Sequence, residues 1–165
     1  MAIIKKIVRL ILIVIVVASC KNEVDVVAHE EKKIKEKTAK ALKEELTSKG
    51  FQIFDYYDEK MQDTVLMQQY FIAFLKQGPN RDQSEEEANK IQEEHLAHLG
   101  KMYDLGYADI SGPFGDDGDI RGITIYNVPT LKMADSLANA DPAVKAGRLI
   151  IEVHPWWAAK GFSLR

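Results

Sequence analysis

His95 stands in the middle of what is otherwise the apolar stripe of a helix. Counting from Ala88 and stepping ~100° per residue, Ile91, His95, Leu99, Met102 and Tyr103 fall within roughly 60° of one line. Glu86, Lys90, Glu93, Glu94, Lys101 and Asp104 take the opposite side. An imidazole aimed at a core loses hydration and must find a partner or shift its pKa, which is how catalytic acids and bases are commonly built. Asp141 is the partner expected for it. A carboxylate that accepts a hydrogen bond from one ring nitrogen orients the other for proton transfer. The competing readings are structural: a core histidine satisfied by a backbone carbonyl, and an Asp before Pro142 that merely caps a helix.

Other residues are candidates for the walls of such a site. His98, Tyr126, His154 and Trp156 are read as pocket residues, with Trp156 and Trp157 alternatively packing at a subunit edge. His95 and His98 are three apart, a helical spacing able to present two nitrogens to one metal ion, with His154 or Glu152 as a third ligand. By the stripe geometry His98 lies on the flank, so no metal site is assigned and no cofactor is called for. Asp116, Asp117 and Asp119 around Gly118 resemble a calcium loop but lack the acidic residue at the last position, and read as a solvated hairpin turn.

The elements that must position these residues follow from period and punctuation. Glu31 to Lys49 reads as an amphipathic helix carrying Ile34, Ala41, Leu42 and Leu46, closed by Gly50. Phe51–Tyr57 and Thr64–Lys76 form a long hairpin around the polar turn Asp58–Asp63. In the second of these strands both faces are apolar, Tyr70, Ile72 and Phe74 alternating with Phe71, Ala73 and Leu75, so it must be buried on both sides. Ser84 and Glu87 make a capping-box signature for the helix bearing His95, which ends near Gly106. Strands follow at Tyr107–Phe114 and Arg121–Asn127. Pro129-Thr130 then opens a helix with Leu131, Ala134, Leu137 and Ala138 on one side. Asp141-Pro142 starts one more turn that stops at Gly147, and Arg148–His154 is the last strand.

From Gln68 onward the order is strand, helix, strand, strand, helix, strand. This predicts an α+β, ferredoxin-like split βαβ sheet with helices on one face. The other face needs a cover, and a second copy of the sheet supplies it, giving a homodimer; the N-terminal helix and hairpin are the alternative cover.

Residues 1–20 read as an export signal: Lys5, Lys6 and Arg9 precede the apolar run Leu10–Ala18, and Val17-Ala18-Ser19-Cys20 resembles a bacterial lipoprotein cleavage site. That resemblance implies lipid on Cys20, with membrane attachment through the lipid. The apolar run is short against the ~20 residues needed to span a bilayer. Cys20 is the single cysteine, so no internal disulfide forms. Removing residues 1–19 takes three basic and no acidic residues from totals of 22 and 25, moving the formal charge from −3 to −6. An acidic chain repels phosphate backbones, which argues against nucleic acid as a partner. Residues 21–66 are expected to hold a tether, the amphipathic helix and the start of the hairpin, and residues 67–165 the main domain. Lys21-Asn22-Glu23 lacks the Asp after the lipidated cysteine that some bacteria use for inner-membrane retention, which leans toward the outer membrane.

Three blocks carry a further resemblance: His95-Leu96-Ala97-His98-Leu99, Gly112-Pro113 at a strand end, and Ala140-Asp141-Pro142-Ala143-Val144-Lys145-Ala146-Gly147. Together, over roughly Gln68–Lys160, they are similar to the YCII-related (YciI-like) family. The resemblance implies a ferredoxin-like fold, dimerisation as a dimeric α+β barrel, and a His and an Asp lining a pocket, here His95 and Asp141. It also implies lyase activity in some members, such as dehydrochlorination of hydroxylated aromatic rings. The expected function is therefore a cofactor-free acid/base enzyme of lyase or isomerase type acting on a small organic molecule. The alternative is a non-catalytic envelope module that binds a ligand or serves a structural role.

Overall fold

The computed structural model describes residues 39–162 and Leu164. The expected export signal with Cys20, the expected tether and the part of the expected first helix before residue 39 lie outside the described residues. Among those described, no helix is long and apolar enough to cross a membrane. Lys43–Arg165 forms one compact unit.

The first helix, α1, covers residues 39–48, and the chain leaves it through Gly50 at φ 87°, the left-handed conformation that glycine tolerates. Strands β1 (Ile53–Asp58) and β2 (Asp63–Gln77) then make the hairpin. The Asp58 carboxylate closes its turn by accepting the backbone N–H groups of Lys60 at 2.9 Å and Met61 at 3.0 Å. β2 crosses residue 67 without a break. Helix α2 (Glu85–Asp104) begins where the Ser84 hydroxyl accepts the Glu87 N–H at 3.2 Å. Strands β3 (Ala108–Pro113) and β4 (Ile120–Tyr126) follow, then α3 (Leu131–Asn139), the single turn α4 (Pro142–Lys145) and β5 (Leu149–Ala159).

β2 is the interior strand. One of its edges pairs with β5 from Met67 to Gln77; the other takes β1 along its first half and β4 from Phe71 to Lys76, and β3 pairs outside β4. Every pairing is antiparallel, so the order β5-β2-β4-β3 is that of the split βαβ unit, with β1 added beside β4's edge of β2. The two apolar faces of β2 separate as their alternation requires. Phe71, Ala73 and Leu75 join Met102 of α2, Ala134 and Ala138 of α3, and Tyr126 in the core. Ile72 and Phe74 turn to the other side with their cross-strand neighbours Ile125, Ile123, His154 and Glu152.

Three expectations are corrected. β5 continues past His154 to Ala159, because Pro155 pairs opposite Phe71 and both tryptophans remain in the ladder. Tyr103 is 68% exposed rather than part of the buried stripe. The buried line of α2 runs through His95 and Met102, about 20° apart on the helix, which leaves Tyr103 about 100° round from Met102. Leu131 is 46% exposed: it is the first residue of α3, and helical side chains lean toward the N-terminus, which carries it past the end of the core.

Candidate active site

Asp141 owes its place to local chemistry. Its carboxylate Oδ1 accepts the Ala143 N–H at 2.8 Å, capping α4, while Pro142 occupies a first-turn position where no N–H is needed. Capping uses one oxygen only. The other, Oδ2, lies 2.6 Å from Nδ1 of His95, so one carboxylate both caps α4 and contacts the imidazole. Both residues are buried, His95 with 8% and Asp141 with 2% of its surface exposed. α2 packs against α4, which is what brings residues 46 apart in sequence into contact.

The direction of the bond follows from valence. A carboxylate has only lone pairs to offer, so His95 Nδ1–H donates the hydrogen bond and Asp141 Oδ2 accepts it, and in the neutral ring the free lone pair is then on Nε2. Among the described residues, Gln68 Oε1 is the sole fully buried side-chain nitrogen or oxygen without a partner. Among the described residues His95 Nε2 makes no hydrogen bond and is not fully enclosed. The His95 side chain lines a hollow of about 400 Å³, together with Gln92, Leu96 and Leu99 of α2, Ser111–Pro113 of β3, Arg121–Ile123 of β4, Ala143, Leu75, Leu149, Arg81 and Arg148. It lies at one end of the sheet, beside the last residues of β3 and the first of β4. Gly122 is required there, since a Cβ on it would stand 2.6 Å from the Gly112 carbonyl oxygen.

The remaining sequence candidates fall elsewhere. His98 sits half-buried on the flank of α2, with Nε2 3.1 Å from the Leu137 carbonyl oxygen. Burial lowers its pKa below the ordinary histidine value, against the opposing pull of Asp141 and that carbonyl. Tyr126 is 2% exposed within the core rather than on the wall of the hollow. Burial, and secondarily the Asp141 charge, raise its pKa and keep the phenol neutral. His154 is on the opposite side of the sheet, edge-on to Phe74 and 2.8 Å from Glu152, and it lines a second hollow of about 560 Å³. Neither His154 nor Glu152 therefore reaches His95 and His98. Among the described residues no three His, Cys, Asp or Glu side chains come together to hold a metal ion. Trp156 packs on Tyr70 with ring centres 6.3 Å apart, and Trp157 on Phe54 at 4.9 Å. The Asp116–Asp119 turn is held through Gly118, whose carbonyl accepts from Arg121 at 3.2 Å, and through Asp119, 3.6 Å from the Lys76 ammonium.

Sequence reasoning missed Arg81, Arg121 and Arg148. They are 40 and 27 residues apart in the chain, so no local pattern joins them.

A family model for the YCII-related domain matches residues 70–157, more than half of the 165-residue chain. The chain belongs to the YCII-related domain family. The matched span opens within β2 and ends within β5, so it takes in both His95 and Asp141 and leaves out α1 and β1. Among solved structures, the chain is similar to a 5-chloro-2-hydroxyhydroquinone dehydrochlorinase from Burkholderia phenoliruptrix AC1100, determined in complex with 2,5-dihydroxybenzoquinone. Identity is 24%, with 53% of this chain and 92% of that one covered and a TM-score of 0.40. No curated protein matches. This YCII-related chain thus carries, ahead of the family span, a helix and a strand that lengthen the sheet along β2.

Proposed function

We propose that this YCII-related protein is an acid/base enzyme of lyase or isomerase type that acts on a small organic molecule through His95, with Asp141 as its positioning residue. The observation that carries this reading is the 2.6 Å contact between His95 Nδ1 and Asp141 Oδ2 beside a hollow that His95 itself lines. A base needs a lone pair directed at the substrate, a fixed tautomer and a partner for the charge it acquires. His95 Nε2, the Nδ1–H bond and Asp141 fill these three roles. In the forward step a substrate C–H breaks, its proton goes to Nε2, and the electron pair stays on the substrate to expel a leaving group or to be reprotonated. Asp141 lies against the resulting imidazolium.

Proton abstraction is measurable before the substrate is known. Small hydroxylated aromatics and carboxylic acids incubated with the protein in D₂O exchange acidic C–H protons for deuterium, read by NMR. Wild type is expected to catalyse exchange in at least one compound, and His95→Ala to slow it by about 10²–10⁴-fold. Equal exchange by the two proteins removes His95 from the chemistry and leaves the ligand-binding or structural module as the reading.

The same proposal includes a homodimer and an exported, lipid-anchored chain, with the outer membrane as the site of anchoring. The face of the sheet turned away from α2 and α3 carries Ile72, Phe74 and Ile123, and on its flanking strands Ile110 and Ile150 are 38% and 50% exposed. The exposed apolar side chains on this face, interspersed with His154, Glu152 and Lys76, favour a cover, and a second copy supplies one by symmetry. Sedimentation should read twice the mass of one chain, and palmitate labelling should be lost in Cys20→Ser. A monomer, or labelling that persists in the variant, overturns the corresponding part.

A further inference from the structure

The hollow beside His95 carries more positive charge than its proton chemistry requires. Arg81 comes from the loop before α2, Arg121 from the start of β4 and Arg148 from the junction of α4 and β5, and all three line it. No Asp or Glu is among its lining residues. Arginines that leave water are ordinarily matched by carboxylates. Arg121 and Arg148 are half-buried, yet their hydrogen bonds go to neutral acceptors, the Gly118 carbonyl oxygen at 3.2 Å and Gln83 Oε1 at 2.7 Å. Among the described residues none of the three is ion-paired, although acidic residues outnumber basic ones 25 to 22 in the chain. Their mutual repulsion registers on Arg81, whose pKa is lowered by burial and then by the charges of Arg148 and Arg121.

Three like charges held around one concave space, with no carboxylate among its lining residues, are stabilised by an anion placed among them. We infer that the hollow binds a small organic anion, its carboxylate or equivalent oxyanion held by Arg81, Arg121 and Arg148, with the carbon that loses a proton turned toward His95 Nε2. This deepens the acid/base reading and, as regards the proton step, rests on it. When a C–H beside a carboxylate gives its proton to Nε2, the electron pair delocalises onto the carboxyl oxygens. The negative charge therefore grows where the guanidiniums are, which is the arrangement that lowers such a barrier.

Anion binding can be read without turnover. The thermal midpoint of the full chain is followed with benzoate, its neutral isostere benzamide, acetate and inorganic phosphate; a ligand that binds the folded state raises the midpoint with concentration. Benzoate or acetate is expected to raise it and benzamide to leave it unchanged, with the shift shrinking as sodium chloride is added. Titration calorimetry should show affinity for the effective carboxylate reduced about 10-fold or more in Arg148→Gln and in Arg121→Gln. Arg81→Gln, at an exposed position, gives the same readout where the fold is not at stake. His95→Ala should keep carboxylate affinity within a few-fold of wild type, which separates the two readings. Carboxylate binding retained in a protein without deuterium exchange overturns the catalytic proposal alone. The anion inference is overturned if no anion shifts the midpoint, if benzamide matches benzoate, or if the arginine variants bind as wild type does.

Discussion

Asp141→Asn should lower the rate of deuterium exchange by about 10²–10⁴-fold while leaving the fold nearly as stable as wild type. The substitution separates the helix capping that Asp141 performs from the orienting role proposed for it. An asparagine Oδ1 still accepts the Ala143 N–H that the carboxylate now accepts at 2.8 Å, and asparagine is as good an N-cap as aspartate. Toward His95, however, the amide presents an N–H where a carboxylate oxygen stood 2.6 Å from Nδ1. The ring relieves that donor–donor clash by moving its proton to Nε2, and the nitrogen facing the hollow then has no lone pair to accept a proton. Asp141→Ala gives the complementary result. It abolishes orientation and also removes the cap, so urea denaturation should show an added loss on the order of 1 kcal/mol. Wild-type exchange in Asp141→Asn would reduce Asp141 to a helix cap.

Gly78→Ala should cost about 1–3 kcal/mol of stability or more, and should weaken the site with it. A Cβ at residue 78 would stand 2.2 Å from the Gly147 carbonyl oxygen, 2.6 Å from the Arg148 carbonyl carbon and 2.7 Å from the Leu149 nitrogen. These are backbone atoms, which cannot rotate aside as a side chain does. The close approach serves a strap: Gly78 N–H donates to the Arg148 carbonyl at 2.9 Å, Asn80 N–H to that of Gly147 at 3.0 Å, and Asn80 Nδ2 to that of Ala146 at 3.2 Å. The strap ties the chain leaving β2 to the junction between α4 and β5. Asp141 precedes that junction by a single helical turn and Arg148 lies within it, so prying the strap open displaces both from the hollow. Gly100→Ala is the matched control. Nothing lies within 4 Å of its Cβ position, it is inside α2, and alanine there should stabilise by about 0.5–1 kcal/mol. Equal urea midpoints for the two variants would refute the strap.

Much of the fold was legible along the chain because its signals are local. Ser84, Thr130 and Asp141 each cap the helix that follows them, and Gly50 and Gly106 end helices in the left-handed conformation. The doubled apolar alternation of β2 marked it as the interior strand. The misreadings came where local pattern meets a partner strand or a core boundary. The last strand read as ending at His154, before Pro155 and the tryptophans, yet pairing with β2 carries it five residues further, to Ala159. Tyr126 and His154 read as pocket walls, but strand parity sends one into the core and the other to the far face.

The chemistry divides the same way. Residue type and helical period alone singled out an imidazole on a buried stripe and an acid at a helix start, since burial of a polar group and capping of a backbone are written in short stretches of sequence. The 2.6 Å contact between them, the hollow beside them and the gathering of Arg81, Arg121 and Arg148 around it were decided by the tertiary structure. Those three guanidiniums come from separate elements that meet at one end of the sheet, and their mutual repulsion exists only once strand pairing and helix packing have brought them there.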